Sequence, residues 1–195
     1  VRFIVPSAPT LRRLPPVGPD WAHEVKWDGW RLQVWKEGSD VRLLTRNRRD
    51  VTARFPDIAK AIAALPSKVL VLDGELVGFD RENKPDFNEL RRRRPNAVVM
   101  LFDVMTIGDE DLRPLPWSAR RRRLERAVSR GTGGVLMLSE VWDDGAALLR
   151  AVAKQGLEGI VSKHRNAPYR SGDTDAWIKV KVAGWTEANR GRFKR

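Results

Sequence analysis

Glu24-Val25-Lys26-Trp27-Asp28-Gly29-Trp30-Arg31 is the stretch from which the fold of this chain is read. Trp21 to Trp27 reads as a strand, and Asp28-Gly29 as a tight turn. Arg31 to Lys36 then alternates with period two, the signature of a second strand. Glu37-Gly38-Ser39-Asp40 supplies a turn, and Val41 to Thr45 the return strand. The lysine therefore stands at the end of a strand, just ahead of a β-meander. Held there, its amine can be aimed at a ligand in a way that a lysine on a surface helix cannot. Whether it acts as a nucleophile depends on what the rest of the chain brings to it.

Upstream, Val1 to Asp20 carries five prolines and reads as an extended lead-in draped over the body. Downstream, Arg54 to Leu65 is expected to be helical, with Phe55, Ile58, Ile62 and Leu65 on one face and Pro66 ending it. Lys68 to Phe79 is an apolar strand interrupted by Asp73-Gly74-Glu75. Asp86 to Arg94 reads as a short helix, and Ala97 to Val104 as a second apolar strand that carries Asp103. Ser118 to Val128 is a basic helix, Gly131 to Gly134 a flexible turn, and Val135 to Val141 a strand. Asp143 to Gln155 is a helix capped by Asp143 or Asp144. Gly159 to Lys163 is a strand, Asn166 to Asp175 a polar loop, and Trp177 to Val182 the final strand. The basic tail from Trp185 is expected to be a short helix or frayed. The pattern predicts an α+β fold of mostly antiparallel strands with helices outside. It divides into a lead-in over 1–20, one domain over 21–182 and a tail over 183–195.

Composition narrows the chemistry. The 195 residues include 8 tryptophans and 42% hydrophobic residues, enough for a substantial core. There are 37 Lys and Arg against 25 Asp and Glu, a net charge of +12 that favours polyanion partners, nucleic acid first. The absence of cysteine excludes disulfides, thiolate metal sites and cysteine nucleophiles. No run approaches the roughly 20 apolar residues of a membrane span, and a membrane is not an expected partner. A cytoplasmic setting is expected.

Several polar residues stand out on apolar strands: Lys26, Glu75, Asp103, Glu158, Lys179 and Lys181. Lys179 and Lys181 are two apart on a strand, point the same way and can grip one anion together. Carboxylates suit Mg²⁺, which bridges to phosphates. A lysine amine becomes nucleophilic where an apolar or cationic neighbourhood lowers its pKa. Together these parts describe phosphoryl or nucleotidyl chemistry. Taken singly they are blander: Asp28-Gly29 shapes a turn, Asp73 is a structural acid, and His23 and His164 are packing residues. The arginine runs Arg91 to Arg94 and Arg120 to Arg123 read as solvated faces, with one of them a phosphate-backbone contact.

The motifs in order resemble the nucleotidyltransferase (adenylation) domain of ATP-dependent DNA ligases, and most of all the ligase domains of bacterial end-joining ligases. They are Lys26-Trp27-Asp28-Gly29-Trp30-Arg31, Thr45-Arg46-Asn47, Leu72-Asp73-Gly74-Glu75-Leu76, Leu101-Phe102-Asp103-Val104, Glu158-Gly159-Ile160-Val161-Ser162-Lys163 and Trp177-Ile178-Lys179-Val180-Lys181. Ala167-Pro168-Tyr169-Arg170-Ser171-Gly172 adds to the likeness with the bacterial subgroup. The resemblance implies an ATP-grasp-like fold of antiparallel sheets flanked by helices. It implies that Lys26 attacks the α-phosphate of ATP and carries AMP, with Lys179 and Lys181 binding that phosphate. Glu24 and the Val25 backbone would read the adenine. Phe102 and Val161 would sandwich it, and Glu75 would bond the ribose. Arg31 and Arg46 would hold ribose and phosphates. Glu158, with Glu75, would hold Mg²⁺ or Mn²⁺. The implied partner is nicked or broken double-stranded DNA in the bacterial nucleoid, with an end-joining protein or separate domain assisting.

Two departures qualify the likeness. Family members carry a C-terminal OB-fold, and the residues after Lys181 are too few for one, so self-adenylation is expected to be inefficient. The position after Thr45-Arg46-Asn47, often glycine, is Arg48, which is expected to add charge and change the turn. An RNA ligase, a capping enzyme or an accessory DNA-binding protein remain as alternatives.

Overall fold

A computed structural model of the chain describes residues 3–92, 95–129, 131 and 134–189. Two sheets meet across a cleft. The first is ordered β1 (Ser7–Leu11), β10 (Gly172–Lys181), β9 (Gly159–His164), β2 (Trp21–Val25). The second runs β4 (Asp40–Thr45), β3 (Trp30–Glu37), β5 (Val69–Gly78), β6 (Ala97–Ile107), β7 (Glu110–Asp111), and β8 (Leu136–Leu138) pairs with β6. Neighbours are antiparallel except β1 on β10 and β8 on β6. The α+β expectation holds.

Side-chain alternation sorts the layers. Leu32 and Val34 of β3, Leu70, Leu72 and Leu76 of β5, and Val99 and Leu101 of β6 point to one side. There they pack under α1 (Pro56–Ala63) and α2 (Trp117–Val128). The opposite face brings Val71, Phe102 and Met105 against Tyr169 and Trp177, closing the space between the sheets. Behind the first sheet, Ile160, Ile178 and Val180 bury against Leu148 and Val152 of α3 (Gly145–Lys154). Within β10, therefore, Ile178 and Val180 face α3 while Trp177 faces the space between the sheets, as period-two alternation requires.

Several expectations are corrected. The first helix starts at Pro56, whose fixed φ suits the first helical turn, and not at Arg54, which closes a short 3₁₀ turn over Thr52–Arg54. Asp73-Gly74-Glu75 does not interrupt its strand. The strand runs through, and the ladder to β6 absorbs the irregularity as register shifts after Val71 and Asp73. β6 continues to Ile107, and β10 begins at Gly172 inside the expected loop, while β8 is three residues long. Phe87–Arg91 is a 3₁₀ helix capped by Asp86. Asp144, not Asp143, caps α3, accepting from the Ala147 N–H at 2.8 Å. The tail holds a single turn, α4 (Trp185–Ala188). Arg93, Arg94, Thr132 and Gly133 of the expected turn, and the last six residues lie outside the described residues.

The lead-in is extended, as expected, but it is also built into the sheet. β1 pairs in parallel with β10, Ser7 opposite Gly172 and Leu11 opposite Lys179. The run Arg120 to Arg123 is a solvated face only in its second half, where Arg122 is exposed and Arg123 half-buried. Arg120 is fully buried and makes a bidentate pair with Asp103, itself fully buried, at 2.8 Å. Arg121 is also buried and reaches Glu125. Arg48 has φ of 63°. That is the left-handed conformation glycine takes freely and arginine takes at a cost of about 1–2 kcal/mol. Its guanidinium lies 5.4 Å from the centre of the Phe3 ring.

Candidate active site

Two contacts fix where Lys26 stands. Its backbone N–H donates to the Gly159 carbonyl at 2.8 Å, tying the end of β2 to β9. Three residues on, Gly29 lies so close to β5 that an added Cβ would sit 2.0 Å from the Leu76 carbonyl oxygen. No side chain fits there without moving the turn. Gly29→Ala is therefore expected to lower stability by about 1–3 kcal/mol. It should also slow any reaction at Lys26 by about 10²-fold through misplacement of the turn. Thermal melting and single-turnover labelling measure the two effects; unchanged values in both would contradict this account.

From this position Lys26 enters a cleft of about 430 Å³ between the sheets. Glu24, Val25, Arg31, Arg46, Glu75, Phe102, Val161 and Lys179, all singled out from sequence, line it. Glu158 and Lys181 stand behind this lining. The Glu158 carboxylate, 5% exposed, accepts from Lys26 Nζ with one oxygen and pairs with Lys181 Nζ at 2.9 Å with the other. Lys181 thus shares a face with Lys179 but is engaged by an acid, while Lys179 looks into the cleft.

The floor and walls follow from strand alternation. Phe102 of β6 presents its ring beneath Arg31, whose guanidinium carbon is 4.6 Å from the ring centre. Trp177 meets Phe102 edge-on at 6.1 Å. Lys163 Nζ lies over both rings, 4.3 and 4.4 Å from their centres, and donates to Glu24 at 2.9 Å. Burial pushes the Glu24 carboxyl up and the Lys163 ammonium down, and each is drawn back by the other's charge. Burial works against the charge of Arg31 too, but Asp73, bonded to it at 2.6 and 2.7 Å, holds the guanidinium above its ordinary value.

Glu75 is pushed up from 4.5 to about 7 by burial, opposed by Arg31 and Lys26. Between those two values the folded chain keeps a proton that the unfolded chain has released. Stability contributed by this group therefore falls as pH rises through that window. Glu75→Gln, which removes the charge and keeps the shape, is expected to melt higher than the wild type at pH 8. The gain should disappear below about pH 4.5. Paired melting curves check this, and a pH-independent difference would contradict it.

Sequence reasoning missed some of the lining. Pro6 to Pro9 form one wall through β1, a placement that depends on a strand far away in sequence. Lys163 and Trp177 also line the cleft. Lys163 was legible in principle, since it lies two residues from Val161 on β9 and so shares its face. His23 is a packing residue, as expected: it is buried, with its ring 2.8 Å from the Ser162 hydroxyl.

Among the described residues no three acidic or histidine side chains cluster as a ready metal cage. Glu158 and Glu75 supply hard oxygen donors of the type that suits a cation arriving with phosphates, and both Glu158 oxygens are here engaged by Lys26 and Lys181.

Comparison with known proteins points one way. The sequence pattern of the ATP dependent DNA ligase domain matches residues 10–181. The multifunctional non-homologous end joining protein LigD of Pseudomonas aeruginosa is 38% identical over 97% of this chain, which spans 24% of that protein. A mycobacterial DNA ligase D complexed with ATP and MES superposes with a TM-score of 0.79 at 30% identity, covering 91% of this chain and 60% of that one. The ligase domain of LigD from M. tuberculosis gives 0.80 at the same identity and coverage. The chain thus spans between 24% and 39% of the length of these curated relatives.

Proposed function

The chain belongs to the ATP-dependent DNA ligase domain family, and we propose that it is the adenylation unit of a bacterial end-joining DNA ligase. In this reading the neutral Lys26 amine attacks the α-phosphate of ATP. A phosphorus–nitrogen bond forms, the bond to pyrophosphate breaks, and AMP stays on Lys26 as a phosphoramidate. AMP then passes to the 5′-phosphate of a DNA nick, releasing Lys26. The 3′-hydroxyl displaces AMP from that phosphate and closes the strand.

The observation that carries this reading is the setting of Lys26. It opens into a nucleotide-sized cleft, lies against Glu158, and is linked through that carboxylate to Lys181. Glu158 is placed to hold the ammonium at rest. Phe102 and Val161 offer apolar faces for a base, with Glu24 and the Val25 backbone at its edge. Arg31, Arg46 and Glu75 surround the ribose and phosphates. Lys179 and Lys181 offset charge as the α-phosphate is transferred. Glu158 and Glu75 would hold Mg²⁺ or Mn²⁺, which neutralises phosphate charge when bound. Residues 21–182 form the unit in this proposal, with 1–20 supplying a wall and 183–195 a basic tail. Its partners are nicked or broken duplex DNA and an end-joining protein or separate domain. Its place is the bacterial cytoplasm, at the nucleoid.

The test is incubation with ATP labelled at the α-phosphate, with Mg²⁺ or Mn²⁺, followed by nicked DNA. A protein-bound label that chases into sealed strands is expected. Absence of label with either metal would sink the adenylation reading, and label that chases only into RNA would move the substrate class to RNA.

A further inference from the structure

Arg31 reaches the cleft from within a longer chain of contacts. Its Nε and Nη2 donate to the two oxygens of Asp73 at 2.6 and 2.7 Å. The second of those oxygens also accepts from the Tyr169 hydroxyl at 2.7 Å. That hydroxyl in turn accepts from the Ser7 backbone N–H at 3.1 Å, while the Ser7 side chain donates to the Arg170 carbonyl. Asp73 is fully buried, and Ser7 and Tyr169 nearly so. Among the described residues Nη1 of Arg31 makes no hydrogen bond, so it is the nitrogen left to meet a ligand in the cleft.

We propose that Tyr169 is a positioning residue for Arg31. Its hydroxyl locks the Asp73 carboxylate in the plane that aims the guanidinium, and it fastens the N-terminal wall of the cleft to the same carboxylate. The inference rests on the reading of Arg31 as a nucleotide contact.

The chemistry favours this over simple packing. A buried carboxylate shared by one arginine fork has spare lone pairs and freedom to rotate about its bond to Cβ. A phenol on one oxygen removes that freedom. Burial and the Asp73 charge keep the phenol protonated, so it stays a donor at every working pH. The ring is held independently of the hydroxyl: it meets Trp177 edge-on at 5.9 Å, and the Arg120 guanidinium lies 5.6 Å from its centre. Removing the oxygen alone therefore leaves the ring in place and frees the carboxylate and the strand.

The test is a cycle of Tyr169→Phe, Arg31→Lys and the double variant. It measures ATP binding by titration, and the KM and maximal rate of AMP labelling. Tyr169→Phe is expected to weaken ATP binding and raise KM about tenfold while the maximal rate changes less than about twofold, the pattern of a lost ground-state contact. Because Tyr169 acts through Arg31, the double variant should bind no worse than Arg31→Lys alone. Unchanged ATP affinity in Tyr169→Phe, or penalties that simply add, would overturn the inference while leaving the adenylation reading intact. A wild-type chain that neither binds ATP nor takes the label removes that reading and this inference with it. Should Tyr169→Phe fail to fold, Asp73→Asn breaks the same chain one link along, is read by the same cycle, and must show the same lack of additivity.

Discussion

Lys26→Ala is expected to abolish the covalent AMP adduct, by at least about 10⁴-fold, while leaving a folded protein. The two halves of this expectation have different causes. Nearby amines cannot substitute, because the backbone bond to Gly159 and the close approach of Gly29 to Leu76 aim this one lysine. Lys181 is held by the far oxygen of Glu158, and Lys179 projects from a different sheet position. The fold survives because the Lys26 side chain is 22% exposed and truncation leaves Glu158 with a second ammonium partner. Autoradiography after incubation with labelled ATP, beside a melting curve, separates the two outcomes. A labelled Lys26→Ala protein would mean that another nucleophile carries AMP.

Arg120→Ala is expected to cost about 3–5 kcal/mol of stability, the usual result of stranding one partner of a buried pair. Such a loss is a large share of the roughly 5–15 kcal/mol that holds a domain together. Arg120 and Asp103 are both fully buried, and the same guanidinium donates to the carbonyls of Leu115 and Ala167 at 2.6 and 3.1 Å. Its removal leaves the buried Asp103 charge with only the Val104 N–H and takes a donor from the Leu115 carbonyl, while the Ala167 carbonyl keeps the Trp117 N–H. The double variant Arg120→Ala with Asp103→Asn should recover part of the loss, because the stranded charge is gone. Urea unfolding measures both, and equal stability of the single variant and the wild type would contradict the argument.

The contrast between these two residues shows what was legible in the sequence. Lys26 could be placed because the signals around it are local: a strand, an Asp-Gly turn and period-two alternation after it. Lys179 was assigned a direction for the same reason. Arg120 could not be read. It sits in a run of four arginines, and composition alone makes such a run look like a solvated face. Its burial depends on Asp103, a residue in another element that faces inward only once β6 lies under α2. The lead-in posed the same difficulty in stronger form. Its prolines correctly indicated extended chain, but its pairing with β10 is parallel, and no hairpin turn announces a parallel partner. Pro6 to Pro9 could therefore not be assigned to the cleft. Lys163 was a different kind of miss, since alternation on β9 already put it beside Val161. At Arg48 the sequence indicated altered charge and an altered turn. The charge is there, but the backbone has the conformation that glycine would take.

The pairing of β1 with β10 also bears on the order in which the molecule can be made. Ser7 to Leu11 is synthesised long before its partner, Gly172 to Lys181. Closing so long a loop is an entropic cost met only after the intervening sheets exist. The wall formed by Pro6 to Pro9 is thus a late event in folding. A nascent chain carries Lys26 long before it has a finished cleft around it, and the cleft closes only when β10 has joined β1.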